Sequence, residues 1–165
     1  MGNILVEGPK SQSNYFVGFR QFAFIDKQLK KLDSLIDNVY EISFLVAIYW
    51  MYFFFLTCEI KCDATTLNVV DRQNAHSMII VVRALVELFR SIKREKELDQ
   101  EILAFSISHD HRLMRIYDHY LVIKGDKTTF YRHPIHEFSF TALDGKEKWI
   151  AYKFTKNVYD TWMSI

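Results

Sequence analysis

Seventeen consecutive residues from Ile42 to Cys58, ISFLVAIYWMYFFFLTC, carry no charge, and the run stops abruptly at Glu59 with Lys61 two positions further on. A stretch this apolar has to leave water. A transmembrane helix takes about 20 residues, with about 17 as the lower limit, so a membrane span is one reading. Against it, the second half, YWMYFFF, is rich in the aromatic residues that favour strands. The flanks are also wrong: Glu41 and Glu59 bound the run with no basic cluster beside Glu41, and no second apolar segment accompanies it. A buried strand at about residues 52–62 is the expectation.

Side chains alternate between the faces of a strand, so Thr57, Glu59 and Lys61 share one face. Cys58, Ile60 and Cys62 take the other face, where they are expected to pack beneath a long helix. Two strand steps separate Glu59 from Lys61 by about 7 Å, close enough for both to meet around one bound water or ion. Glutamate binds hard divalent cations through oxygen. Such a cation lowers the pKa of its water and neutralises a phosphate, and a lysine can orient the nucleophile or stabilise developing charge. The plain alternative is a structural ion pair at a strand end.

The rest of the chain supplies the sheet and its covering helices. YFVGFR (15–20) reads as a strand, and 26–41 as an amphipathic helix with Leu29, Leu32, Leu35, Ile36 and Val39 at helical steps. Residues 68–94 read as a long helix with a stripe of Val69, Val70, Met78, Val81, Val82, Leu85, Leu88, Phe89 and Ile92. Three strands follow at 101–108, 113–124 and 128–135, the last two joined by a turn at GDK. A closing helix, about 144–163, carries Trp149, Tyr152 and Trp162, expected in the core rather than as base-stacking platforms. The order predicts an α/β domain with a central mixed sheet flanked by helices.

The chain's 165 residues suit one domain, here 14–165 behind a tail at 1–13. Half the chain is hydrophobic, which argues against disorder. Lysine plus arginine (21) nearly balance aspartate plus glutamate (20), so no global field advertises a polyanion. A nucleic-acid partner would need a local basic surface, for which Lys93, Arg94, Lys96, Lys146, Lys148, Lys153 and Lys156 are candidates; interspersed acids equally suit a solvated face. Two cysteines make no disulfide framework, so an intracellular setting, nucleus or cytoplasm, is expected. The start lacks a signal peptide's basic and apolar regions, and Val6 stands where a myristoylation signal wants Ser or Thr. A zinc site from Cys58, Cys62, His109 and His111 fails on geometry, because four strand residues hold the thiols about 13 Å apart. SHDHR (108–112) reads as a turn or as histidines facing a phosphate. No organic cofactor is expected.

FLTCEIKC followed by DRQNAHSM on a helix resembles the PD-(D/E)XK nuclease-like superfamily, in which a strand carries Glu-x-Lys and a helix follows. The stretch from DQEILAFSISHDHRL to NVYDTWM resembles a fungal domain of unknown function grouped with those nucleases, and the likeness runs from about Asn14 to Trp162. It implies a restriction-endonuclease-like core and Mg²⁺- or Mn²⁺-dependent phosphodiester hydrolysis of DNA or RNA. Glu59 would bind metal and Lys61 would position the attacking water. The family's second acidic ligand, an aspartate often within Pro-Asp, maps onto Ser13-Asn14, and a neutral amide binds Mg²⁺ far more weakly than a carboxylate. The family's N-terminal extension is also missing or cut short. Gln73 lies where some relatives place a glutamine near the site, although Ser77 replaces the tyrosine of their motif. Arg72, Gln73, His109 and His111 are the nucleic-acid-binding candidates. The expectation is a weak or inactive nuclease-like domain; the alternative is a non-catalytic nucleic-acid or protein interaction module on the same fold.

Overall fold

A computed structural model describes residues 4–7, 14–20, 25–27, 30, 51–60 and 67–162. Their strands form one sheet whose spatial order follows the chain: β1 (Ile4–Glu7), β2 (Asn14–Arg20), β3 (Met51–Ile60), β4 (Ile102–His109), β5 (Leu113–Lys124) and β6 (Lys127–Ser139). β3 and β4 are parallel and every other pair is antiparallel. A parallel pair cannot be joined by a hairpin, and the long helix α1 (Leu67–Ser91) lies between them in the chain. The closing helix, α2 (Ile150–Asp160), follows a short 3-10 turn at Leu143–Gly145. This is the expected α/β architecture, a mixed sheet flanked by helices. β1 lies within the stretch expected to be a tail. Most of the expected helix at 26–41 lies outside the described residues; Asp26, Lys27 and Lys30 are helical and exposed.

Each helix covers its own apolar cluster. Met78, Val81, Val82 and Val86 of α1 meet Phe54, Ala104 and Leu121 of the sheet. Val158 of α2, with Phe154 and Trp162 around it, meets Phe55, Phe105, Ile107, Ile116 and Phe138. From Ala104 onward alternation along β4 sorts the faces: Ala104, Ser106 and Ser108 look toward α1, while Phe105 and Ile107 look toward α2. β5 and β6 join through Gly125, whose φ of 59° suits a residue without Cβ.

β3 breaks the alternation. Val17 pairs with Leu56 but Phe19 pairs with Tyr52, so two steps along β2 match four along β3. Phe54 packs under α1, whereas Phe55 and Leu56 both pack under α2. Extra residues of this kind shift which side chain reaches which face. Thr57 and Glu59 do share a face, but it is the α1 face, as the Thr57 hydroxyl bonded to Asn74 shows. Cys58 consequently packs in the cluster under α2. The expectation that Cys58 and its alternates pack beneath the long helix is corrected; Cys62 lies outside the described residues.

The closing helix carries a second correction. Trp162 packs into the α2 cluster, but Trp149 is 58% exposed and Tyr152 63% exposed. At the C-terminal end of α1, Ile92, counted in the apolar stripe, is exposed beyond the last helical residue. The uncharged run also resolves in part: residues 51–58 belong to β3, while 42–50 lie outside the described residues. Among the described residues no helix is long and apolar enough to cross a membrane.

Candidate functional site

One row of cross-strand partners spans five strands at the end of the sheet that carries Glu59. Asn14 pairs with Glu59, Glu59 with Ser108, Ser108 with Arg115 and Arg115 with Glu137. Adjacent strands stand about 4.8 Å apart, so these residues form a polar line across the sheet. Glu59 and Ser108 sit near the C-terminal ends of the parallel strands β3 and β4. In open α/β sheets that end is where ligand crevices form.

The N-terminal half of α1 locks this line down. The Asn74 side chain donates to Ile107 O at 2.9 Å and to Ser108 Oγ at 3.2 Å, while its own oxygen accepts from Thr57. One turn earlier, Asp71 accepts from Arg115 Nη1 at 2.6 Å and from the Tyr117 hydroxyl at 3.2 Å through the same oxygen, Oδ2. Its other oxygen, Oδ1, is buried without a hydrogen-bond partner among the described residues. Arg115 donates from Nε to Glu137 at 2.6 Å and from Nη1 to Asn68 Oδ1 at 3.0 Å. Partial burial opposes the charge on Arg115, but its hydrogen bonds to Asp71 and Glu137 outweigh that and hold the guanidinium firmly protonated. Arg132 lies over the Tyr117 ring, 4.2 Å from its centroid, and donates to the Asp71 carbonyl at 2.9 Å.

Two titratable groups beside the row are pushed far from their ordinary range. His119 is buried and its Nε2 lies 2.8 Å from Ser106 Oγ. Burial, helped by the charge on Arg132, lowers its pKa to about 3, so the ring is neutral at physiological pH. Burial, helped by the negative charge of Glu59, raises the Cys58 thiol to about 12. Glu59 itself is only 6% exposed.

The residues singled out in the sequence fall into three places. Asn14 and Glu59 meet as strand partners, and Lys61 lies outside the described residues. Arg72 and Gln73 are exposed on α1; Arg72 Nε donates within its own helix, to Asn68 O at 3.4 Å. His109 ends β4, on the face opposite Glu59, with its ring edge-on to Phe140 at 6.2 Å. His111 is exposed in the following turn, which Asp110 fastens by accepting from the backbone N–H groups of Arg112 and Leu113.

Sequence reasoning missed Asp71, Asn74, Ser106, Ser108, Arg115 and Tyr117. A signal was present for four of them. Asp71 and Asn74 interrupt the apolar stripe of α1 between Val70 and Met78, and Ser106 and Ser108 alternate with Phe105 and Ile107.

Residues 2–165 match the profile of a family described as a domain of unknown function, DUF7924. The chain belongs to the DUF7924 family. No curated protein and no solved structure matches it. The polar row of this DUF7924 domain therefore has to be read from its own chemistry. Among the described residues no three His, Cys, Asp or Glu side chains are grouped to hold a metal. The donor set at the Asn14–Glu59 pair is one carboxylate and, from the residue type opposite, one amide. That suits a hard cation only weakly, since carboxylate charge sets affinity.

Proposed function

We propose that this DUF7924 domain is a nuclease-like domain of the PD-(D/E)XK type, of fungal origin, descended from divalent-metal-dependent phosphodiester hydrolases and now weak or inactive. The observation that carries the reading is the register of Asn14 opposite Glu59. The resemblance puts an acidic ligand at the first position and Glu-x-Lys at the second, on neighbouring strands, with a helix next in the chain. β2, β3 and α1 follow that order.

On this reading Glu59 holds Mg²⁺ or Mn²⁺, Asn14 marks the weakened ligand, and Lys61 orients the attacking water. The metal, when bound, would supply charge neutralisation at the phosphate and a more acidic water. DNA or RNA is the partner, and the nucleus or cytoplasm is the setting. Isothermal titration of Mg²⁺ and Mn²⁺, with a cleavage assay on single- and double-stranded DNA and RNA, tests it on the wild type, Glu59→Ala and Asn14→Asp. A gain of cleavage in Asn14→Asp that Glu59→Ala removes supports the proposal. Strong cleavage by Glu59→Ala sinks it.

One observation favours a second reading, a non-catalytic nucleic-acid or protein interaction module on the same fold. Glu59 is nearly fully buried, and beside it Thr57 and Ser108 are both hydrogen-bonded to Asn74. A reacting phosphate needs room that such a closed polar cluster does not leave.

A further inference from the structure

The exposed side of α2 pairs aromatic rings with free cations. Trp149, at the N-terminus of the helix, and Tyr152 are 58% and 63% exposed, with ring centroids 6.4 Å apart and planes at 77°. Large aromatics normally contribute most when buried, and this helix does not need these two for docking. Ile150, Phe154, Val158 and Trp162 already fasten its other side to the sheet.

Trp149, Tyr152, Lys153 and Lys156 lie at steps of three, four and seven residues, so they share one helical face. Lys148 Nζ stands 5.6 Å from the Trp149 ring centroid. Lys156 is tied to Asp160, whereas Lys146, Lys148 and Lys153 make no ion pair among the described residues. Asp144 and Glu147 are the acids at the near end of the patch.

We propose that this face of α2 is a stacking platform for single-stranded nucleic acid, with Trp149 and Tyr152 receiving bases and Lys146, Lys148 and Lys153 following the phosphates. Accessible rings within reach of cations are the combination that holds unpaired strands without reading their sequence. Lysine is depleted at protein–protein interfaces, which disfavours a protein partner. A membrane surface would need an apolar face to insert, but the two rings here are followed along the helix by Lys153, Lys156, Asn157 and Asp160. The platform lies across the sheet from Glu59, so it stands or falls independently of the proposed metal site.

Fluorescence anisotropy of a labelled mixed-sequence 12-mer, single-stranded and as a duplex, tests the proposal at two salt concentrations. Anionic phosphatidylserine vesicles serve as the competing surface. The single strand is expected to bind more tightly than the duplex, with affinity falling as salt rises. Trp149→Ala/Tyr152→Ala should weaken it about tenfold or more, Trp149→Phe/Tyr152→Phe should retain most of it, and Lys148→Gln/Lys153→Gln should flatten the salt dependence. The proposal is overturned if the single strand does not bind, if the double alanine variant binds it like wild type, or if that variant loses vesicle binding alone.

Discussion

Asn14 stands directly opposite Glu59 in the antiparallel register of β2 and β3. Forty-four residues of chain intervene between these positions in the sequence, yet in the sheet they are neighbours across one strand spacing. The row continues through Ser108 to Arg115 and Glu137, which belong to a partly buried ion-pair network.

Asp71 is the buried anchor of the network and Glu137 its exposed end, with side-chain exposures of 7% and 54%. Removing one partner of a buried pair leaves an uncompensated charge and costs about 3–5 kcal/mol; the partial exposure of Arg115 brings the expectation for Asp71→Ala down to about 2–4 kcal/mol. Glu137→Ala should cost under about 1 kcal/mol. Urea midpoints of the two variants measure the difference, and equal losses would contradict this assignment.

Asn74 holds three groups at once, the Thr57 hydroxyl on β3 and the Ile107 carbonyl and Ser108 hydroxyl on β4. Its replacement by Ala leaves buried partners unsatisfied, at about 1–3 kcal/mol. Thr57→Val should lose less in the Asn74→Ala background than in wild type, because the hydroxyl's partner is already gone. A double-mutant cycle reads this coupling; strict additivity would mean that the bond contributes nothing.

His119 gives the domain an acid-sensitive core. Its folded pKa, about 3, lies below the ordinary 6.5, so between those values the unfolded state binds the proton and the folded state does not. Stability is then independent of this group above about pH 6.5, falls as pH drops through 6.5, and stops changing on its account below about 3. The total loss is on the order of a few kcal/mol. Denaturation at pH 4.5 and 7.5 should show a smaller pH difference in His119→Asn than in wild type. Identical differences would remove His119 as the cause.

Cys58 should be chemically silent in the folded state. With its thiol raised to about 12, almost none is thiolate at pH 8, and the thiolate is the reactive form. In a Cys62→Ser background, iodoacetamide labelling followed by mass spectrometry should show alkylation only after unfolding. Rapid labelling of native protein would contradict the packing of Cys58 beneath α2.

The strands and helices were largely legible because their apolar periods are long: β4, β5, β6 and α1 each lie within a few residues of where the sequence puts them. The phase of β3 was not. Alternation counted from Glu59 assumes a regular strand, and the irregularity opposite Val17 and Phe19 arises from pairing with β2, which no local pattern records. The closing helix misled in a related way. Trp149, Tyr152, Tyr159 and Trp162 suggest a single aromatic stripe, but only Tyr159 and Trp162 join Ile150, Phe154 and Val158 on the packed side, while Trp149 and Tyr152 face out. Asp71 and Asn74 were visible as polar breaks in an apolar stripe, but their partners on β4 and β5 are 33 to 46 residues away. Only the sheet register joins them.

The most direct measurement is calorimetric titration of Mn²⁺ into wild type, Asn14→Asp and Asn14→Asp/Glu59→Ala. A degenerate metal site at the Asn14–Glu59 pair gives weak or undetectable binding in wild type, at least about tenfold tighter binding in Asn14→Asp as the second carboxylate is restored, and loss of that gain in the double variant. Tight binding in wild type, or no gain from Asn14→Asp, would contradict it.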